Sequence, residues 1–253
     1  MRPRAGLFVT CLIDIMRPSV GFAAARLIEA AGCDVVVPET QTCCGQPAYN
    51  SGHAADAAAI ALNTLAAFDS CDYVVVPSGS CAAMLKLHYP LLLANAQPDV
   101  RERVSAFSAK VHELCAFLAD VRGLLRMPGT YSGVVTYHDS CSGLRELGIK
   151  TAPRRLLATM QGVRVQELED CESCCGFGGL FATKYPDISN AIVTRKADAA
   201  AASEADVLLA GDLGCLMNIA GKLARRGHGP ACRHVAEVLA GELSDPPIAA
   251  AGT

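Results

Sequence analysis

The sequence predicts an α/β protein built as two pseudo-symmetric repeats, each a mainly parallel sheet flanked by helices. Three observations carry this. Short runs of valine, leucine and other apolar residues alternate with helical stretches, the pattern of strands buried on both faces. A set of four cysteines occurs twice in the same order and at nearly the same spacing, a sign of duplication. The chain has 253 residues, of which 51% are hydrophobic, enough to bury two ordinary cores.

The elements follow in order. Gly6–Thr10 reads as a first strand, Ser19–Ala31 as a helix rich in small residues, and Asp34–Pro38 as a second strand. After the loop "TQTCCGQPAYNSG", Ala54–Phe68 reads as a helix and Tyr73–Pro77 as a strand, with a further helix from Cys81. Pro128 and Gly129 in "GLLRMPGTYS" punctuate the join, because proline and glycine break regular structure. The repeats are therefore expected at residues 1–125 and 126–253. The second series is strand Gly133–Tyr137, helix Ala152–Met160, strand Arg164–Leu168, a loop containing "ESCCGFGG", helix Ile188–Ser203 and strand Asp206–Ala210. Helices Leu216–Arg226 and Arg233–Leu243 close it.

The cysteines mark the correspondence. Residues 12–42 separate Cys11 from the pair Cys43 and Cys44, and residues 142–173 separate Cys141 from the pair Cys174 and Cys175. Residues 45–80 then lead to Cys81, and residues 176–214 to Cys215. Each of these positions lies just past a strand. In a parallel sheet those loops all leave on the carboxyl edge, where ligands bind. Cys11, Cys43, Cys44 and Cys81 are expected to converge there, and Cys141, Cys174, Cys175 and Cys215 likewise in the second repeat.

The bulk composition excludes several classes. A net charge of −3 gives no reason to expect nucleic acid or an anionic membrane as partner. No run is long and apolar enough to insert into a membrane. Arg2 and Arg4 precede an apolar run as in a secretory leader, but Asp14 and Arg17 interrupt it and no cleavage site follows. The chain is thus expected in the cytoplasm. There, thirteen cysteines point to metal or redox chemistry rather than disulfides.

Four converging thiols suit zinc or an iron–sulfur cluster. Zinc knuckles draw close pairs such as C-x-x-C from one tight turn, whereas here two loops give one ligand each and a third gives adjacent ligands. Neighbouring Cα atoms are ~3.8 Å apart, and their side chains diverge. A cluster offers separated metal atoms to such a pair. Gly45 and Gly176 let backbone pass close to a bulky core.

The motifs "LFVTCLIDIMRPSVG", "QTCCGQPAYNSG", "VVVPSGSCAAML", "YHDSCSGLRELGI", "CCGFGG", "ISNAIVTRKADA" and "RHVAEVLA" together resemble the lactate utilization protein A family. That family carries the duplicated cysteine-rich CCG domain, also found in heterodisulfide reductase and in the iron–sulfur component of glycolate oxidase. The resemblance implies iron–sulfur clusters, one of the 4Fe-4S type per repeat, held by the eight cysteines named above. It also implies an electron-transfer role beside lactate utilization proteins B and C, in a complex oxidising L-lactate to pyruvate and so allowing growth on lactate. The chain would then be a component of an oxidoreductase complex rather than a self-sufficient enzyme. A thiol–disulfide oxidoreductase of the heterodisulfide reductase type, or the iron–sulfur component of a glycolate or other 2-hydroxy-acid oxidase, is the alternative. Two departures from the relatives stand out. Ser78 and Asp212 stand where heterodisulfide reductase has the earlier cysteine of a C-x-x-C pair, and Ser142 stands where the family has histidine. The first departure favours four thiolates per cluster over the five of the noncubane type.

The remaining candidates are weighed against plain packing. Cys33, Cys71, Cys115 and Cys232 have no counterpart in the other repeat and read as small buried hydrophobes. Cys171 forms C-x-x-C with Cys174, which leaves a spare ligand, a redox thiol or a bystander open. His138 and Asp139 are either outer partners of the second site or hydrogen-bonded structure at a strand end. His234 reads as a helix cap. "GFGG" lacks the lysine of a phosphate loop. No Ser–His–Asp set or paired carboxylates stand out for abstracting a proton or hydride.

Overall fold

The computed structural model describes residues 1–250, so the last three residues of the expected second repeat lie outside it. Strands β1 (Arg4–Leu7), β2 (Asp34–Val36), β3 (Tyr73–Val76) and β4 (Val111–Glu113) form one sheet in the order β2-β1-β3-β4. Strands β5 (Gly133–Tyr137), β6 (Val163–Val165), β7 (Val207–Ala210) and β8 (Ala231–His234) form a second in the matching order β6-β5-β7-β8. Every pairing is parallel, with Ala5 opposite Val35 and Tyr73 in the first sheet, and Val135 opposite Val165 and Val207 in the second. The α/β class and the two matched sheets are as the sequence predicts.

Several elements differ from expectation. β4 is the tripeptide Val-His-Glu and β8 is Ala-Cys-Arg-His, neither with the continuous apolar run that marks β1 or β3. Their polar side chains are largely buried and hydrogen-bonded: Glu113 accepts from Ala116 N–H, Arg233 donates to the Asp245 carbonyl and His234 accepts from Ala236 N–H. β8 occupies the start of the expected helix Arg233–Leu243, which begins instead at Val235. Cys11, expected in a loop, opens the short helix Cys11–Met16.

The period-two alternation of strand side chains distributes the core. Ala5, Leu7 and Val75 of the first sheet face one apolar cluster together with Val135, Tyr137, Val207 and Leu209 of the second. Val74, Val76 and Phe8 face a cluster whose buried members all come from the first repeat, under helices Ala54–Ala67 and Pro98–Lys110. Leu208 and Ala210 face the equivalent cluster of the second, under Pro186–Ala202 and Leu213–Arg226. The two sheets thus share the central layer.

Helices Pro18–Ala30 and Leu114–Ala116 enter that layer from the first repeat, and Thr151–Ala158 and Val235–Ala240 from the second. They pack crosswise. Pro18–Ala30 lies on Val235–Ala240, and Thr151–Ala158 lies on Leu114–Ala116 and its wider, π-type continuation Phe117–Val121.

Charge is also buried in this seam. His234 caps the last helix: its Nδ1 accepts from Ala236 N–H at 3.2 Å, and its own N–H donates to Glu237 Oε2 at 3.0 Å. The other Glu237 oxygen accepts from Arg17 Nε at 2.8 Å and Ser19 Oγ at 2.9 Å, across the two repeats. Glu237 is fully buried and Arg17 nearly so. Removing one partner of such a pair leaves a charge in low dielectric and costs about 3–5 kcal/mol. Glu237→Ala should therefore destabilise the protein by about that amount, read as a fall in the denaturation midpoint at unchanged denaturant slope. A change under about 1 kcal/mol would show the pair to be solvated.

A second seam carboxyl is Glu113, which caps the following turn by accepting from Ala116 N–H at 3.0 Å. Burial raises its pKa to about 7. Because the folded value lies above the unfolded one, its stabilisation is full below about pH 4.5 and is lost as pH rises through about 7. The expected slope is about 1.4 kcal/mol per pH unit across that window. Glu113→Gln keeps the acceptor and should remove this part of the pH dependence of the melting temperature. Equal slopes in both proteins would mean that Glu113 is already ionised in the fold.

Candidate metal centres

β1 and β3 lie side by side while their connections leave to opposite sides. This makes a switch point at the carboxyl edge, the usual place for a ligand in such sheets. The helix Cys11–Met16 follows β1, and the helix Gly79–Ala83, carrying Cys81, follows β3. The loop after β2 brings in Cys43 and Cys44. The second sheet repeats this with Cys141 after β5, Cys174 and Cys175 after β6, and Cys215 in the helix Leu213–Arg226 after β7.

The thiols meet in two rows. Cys11 donates to Cys43 at 3.9 Å between sulfurs, Cys43 also takes a hydrogen bond from Cys44, and Cys44 reaches Cys81. Cys141, Cys174, Cys175 and Cys215 are linked in the same sequence. All thirteen cysteines are free thiols. Within each double cysteine the first thiol is the more accessible: Cys43 is half-buried and Cys174 exposed, whereas Cys44 and Cys175 are buried.

The first member of each double cysteine is the ready thiolate. Hydrogen bonds from Cys11 and then Cys44 hold Cys43 down to about 2, and bonds from Cys141 and then Cys175 hold Cys174 down to about 2. Their donors are pushed up correspondingly. Thiolate is the form that binds metal.

Backbone and neighbouring side-chain contacts fix the rows. Gly45 and Gly176, directly after the double cysteines, have φ of +80° and +82°, where a side chain is strained. A Cβ on Gly176 would also stand 2.7 Å from the Ser189 carbonyl oxygen. Tyr89 Oη donates to the Cys44 carbonyl at 3.0 Å, and Asn218 Nδ2 to the Cys175 carbonyl at 2.9 Å. Each first loop is tied to its double-cysteine loop: Val9 N–H donates to Gln41 Oε1 at 2.8 Å, and Asp139 N–H donates to the Cys171 carbonyl at 3.1 Å. Arg154 grips the buried Asp139 carboxylate with two bonds of 2.8 and 2.9 Å.

The other candidate positions fall outside the rows in different ways. Cys33, Cys71, Cys115 and Cys232 are buried in the apolar layers and in neither row. Cys171 lies beside the Asp139 carboxyl. Ser78 caps the Cys81 helix by accepting from Cys81 N–H at 3.4 Å, and Asp212 reaches into the other repeat to accept from Ser80 N–H at 2.9 Å. Ser142 begins the π-type turn Ser142–Glu146. His138 is fully buried next to the second row, and burial, then the Lys196 charge, push it down to about 3. Its imidazole is therefore neutral near pH 7.

Soft donors in two matched sets, a cradle that admits only glycine and an unpartnered buried imidazole beside one set fit a thiolate-bound metal centre. Likeness to known proteins follows the same two-fold division. Residues 5–86 and 135–220 each match the CCG cysteine-rich domain. The chain is 45% identical to lactate utilization protein A of Geobacillus kaustophilus (strain HTA426), over 93% of this chain and 98% of that one. It is 44% identical to lactate utilization protein A of Exiguobacterium sp. (strain ATCC BAA-1283 / AT1b), over 94% and 97%. The homologue from Oceanobacillus iheyensis is 42% identical over 93% and 96%. Two sheets, two thiol rows and two matched domains make this chain a member of the lactate utilization protein A family, with the duplicated CCG cysteine-rich domain.

Proposed function

We propose that the protein is an iron–sulfur electron carrier in a complex that oxidises L-lactate to pyruvate. The observation that carries this is the pair of matched four-thiol rows, each with a double cysteine whose first thiol is the more accessible and whose second is buried. Cys11, Cys43, Cys44 and Cys81 are the proposed ligands of the first cluster, and Cys141, Cys174, Cys175 and Cys215 those of the second, each of the 4Fe-4S type. The division of the repeats between residues 125 and 126 belongs to the same reading.

Such clusters supply one-electron storage at potentials set by ligands, hydrogen bonds and exposure. The chain's own residues hold the thiolates, exclude water from the inner sulfurs and keep the outer ones near the surface. Oxidation of lactate to pyruvate releases two electrons and two protons. Partner proteins resembling lactate utilization proteins B and C would act on the substrate and pass the electrons on. The substrate itself is inferred from the name of the relatives, lactate utilization protein A. No helix among the described residues is long and apolar enough to cross a membrane, which suits a carrier docking on partner proteins.

Replacement of a row thiol tests the ligands. Serine lacks the soft thiolate that iron prefers. Cys43→Ser or Cys44→Ser should lower iron per chain to about half, leave the second site largely loaded and abolish lactate-dependent electron transfer with both partners present. Cys33→Ser, in the central layer, should leave iron unchanged. Iron analysis and electron paramagnetic resonance on anaerobically isolated protein are the measurements. Full iron in the double-cysteine variants, or equal loss in Cys33→Ser, would refute the assignment. Disulfide reduction without lactate activity in the partnered complex would favour the thiol–disulfide reading instead.

A further inference from the structure

The two rows match thiol for thiol, but the residues beside them do not. His138 stands three residues before Cys141, and Phe8 stands three before Cys11. Each is the residue directly beyond the end of its strand. Phe8 meets Phe68 at 5.7 Å between ring centroids, in the apolar cluster that contains Cys44. That position needs only a ring-sized apolar group to complete the first repeat.

His138 is as buried as Phe8, yet neither ring nitrogen has a hydrogen-bond partner. A buried polar group left unpaired costs on the order of 1–3 kcal/mol, so a purely structural role would favour the phenylalanine found in the other repeat. The ring has instead a different set of neighbours. One ring nitrogen, Cys175 Sγ and Cys215 Sγ all lie within 4.8 Å of one another. No protein donor or acceptor engages either ring nitrogen, so the lone pair of a neutral imidazole is left free for a metal.

The helices covering the two rows differ in the same sense. Gly45 lies against Ile60 and the Ala57 carbonyl, and Gly176 against Ile192 and the Ser189 carbonyl, which matches Thr64 of the first helix with Lys196 of the second. Thr64 is a neutral acceptor for Tyr89. Lys196 is a buried cation whose Nζ donates to the Asp170 carbonyl.

We propose that His138 is a metal ligand of the second site, its imidazole nitrogen binding iron of the cluster held by Cys141, Cys174, Cys175 and Cys215, as a fifth protein ligand beside Cys175 and Cys215. The two repeats then carry unlike centres, all-thiolate in the first and mixed thiolate–imidazole in the second. This rests on the iron–sulfur reading above. Ligation donates the lone pair of the neutral ring and leaves its other nitrogen protonated, so no electron or proton is exchanged with solvent.

The test uses full-length protein isolated anaerobically with 15N-histidine incorporated. Pulsed electron paramagnetic resonance on the reduced sample should show a nitrogen coupling of directly bound imidazole. Because the chain has six histidines, assignment comes from variants. His138→Phe copies the first repeat and should fold; it should lose the coupling completely while keeping the first-site signal. His138→Gln should lose it too, and Cys43→Ser, which empties only the first site, should keep it. A loaded, paramagnetic second site without a histidine coupling, or a coupling that survives in both His138 variants, overturns the proposal and leaves the iron–sulfur reading standing. Absence of iron from the wild-type protein overturns both. If His138→Phe fails to fold, the wild-type spectrum and His138→Gln still decide.

Discussion

Parallel pairing of β1 with both β2 and β3 is the constraint on which the molecule depends. It forces three successive connections to leave from one edge, and the repeated order β6-β5-β7-β8 does so again. Residues more than thirty positions apart are delivered to one place by topology, with no local motif required. The same pairing buries both faces of each sheet. One face must then be covered by the repeat's own outer helices and the other by helices shared between repeats, as the three apolar clusters show.

Within that frame the thiols are ordered by depth. The double cysteine sends one side chain outward and the next inward, because successive side chains diverge, and the following glycine turns the backbone at positive φ. An outer thiolate is stabilised by hydrogen bonds from its neighbours, while the inner thiol sits among apolar side chains. Polar contacts such as Tyr89 to the Cys44 carbonyl and Arg154 to Asp139 set the loops without entering the rows. The seam contacts of Asp212 with Ser80 N–H use the positions at which a further thiol could have stood.

Much of this was legible in the sequence because its signals are strong. "YVVV", "GVVTY" and "VLLA" are continuous apolar runs, and the observed strands fall within a few residues of them. The convergence of each row follows from spacing alone once the strands are parallel. β4 and β8 were not legible, since "VHE" and "ACRH" are held by pairing to a neighbour rather than by their own pattern. The helix at Cys11 and the π-type turns are set by packing, which short-range propensity does not encode. His138 could be placed at the sheet edge from sequence. Its lack of a hydrogen-bond partner is a property of the folded surroundings, and only coordinates show it. The matched position of Phe8 is visible when one repeat is laid on the other, and would have singled the histidine out.

The crosswise packing of the central helices bears on how such a chain arose. Pro18–Ala30 is covered by Val235–Ala240 of the other repeat, and Thr151–Ala158 by Leu114–Ala116. A single repeat standing alone would leave an entire apolar sheet-and-helix face bare. Its ready solution is a second copy placed by a two-fold axis, since an isologous contact is self-complementary. The geometry thus fits descent from a half-length homodimer whose single gene was duplicated and fused. Fusion would have freed the two formerly identical sites to drift apart, which symmetry in a dimer forbids: any change on one side would have appeared on both.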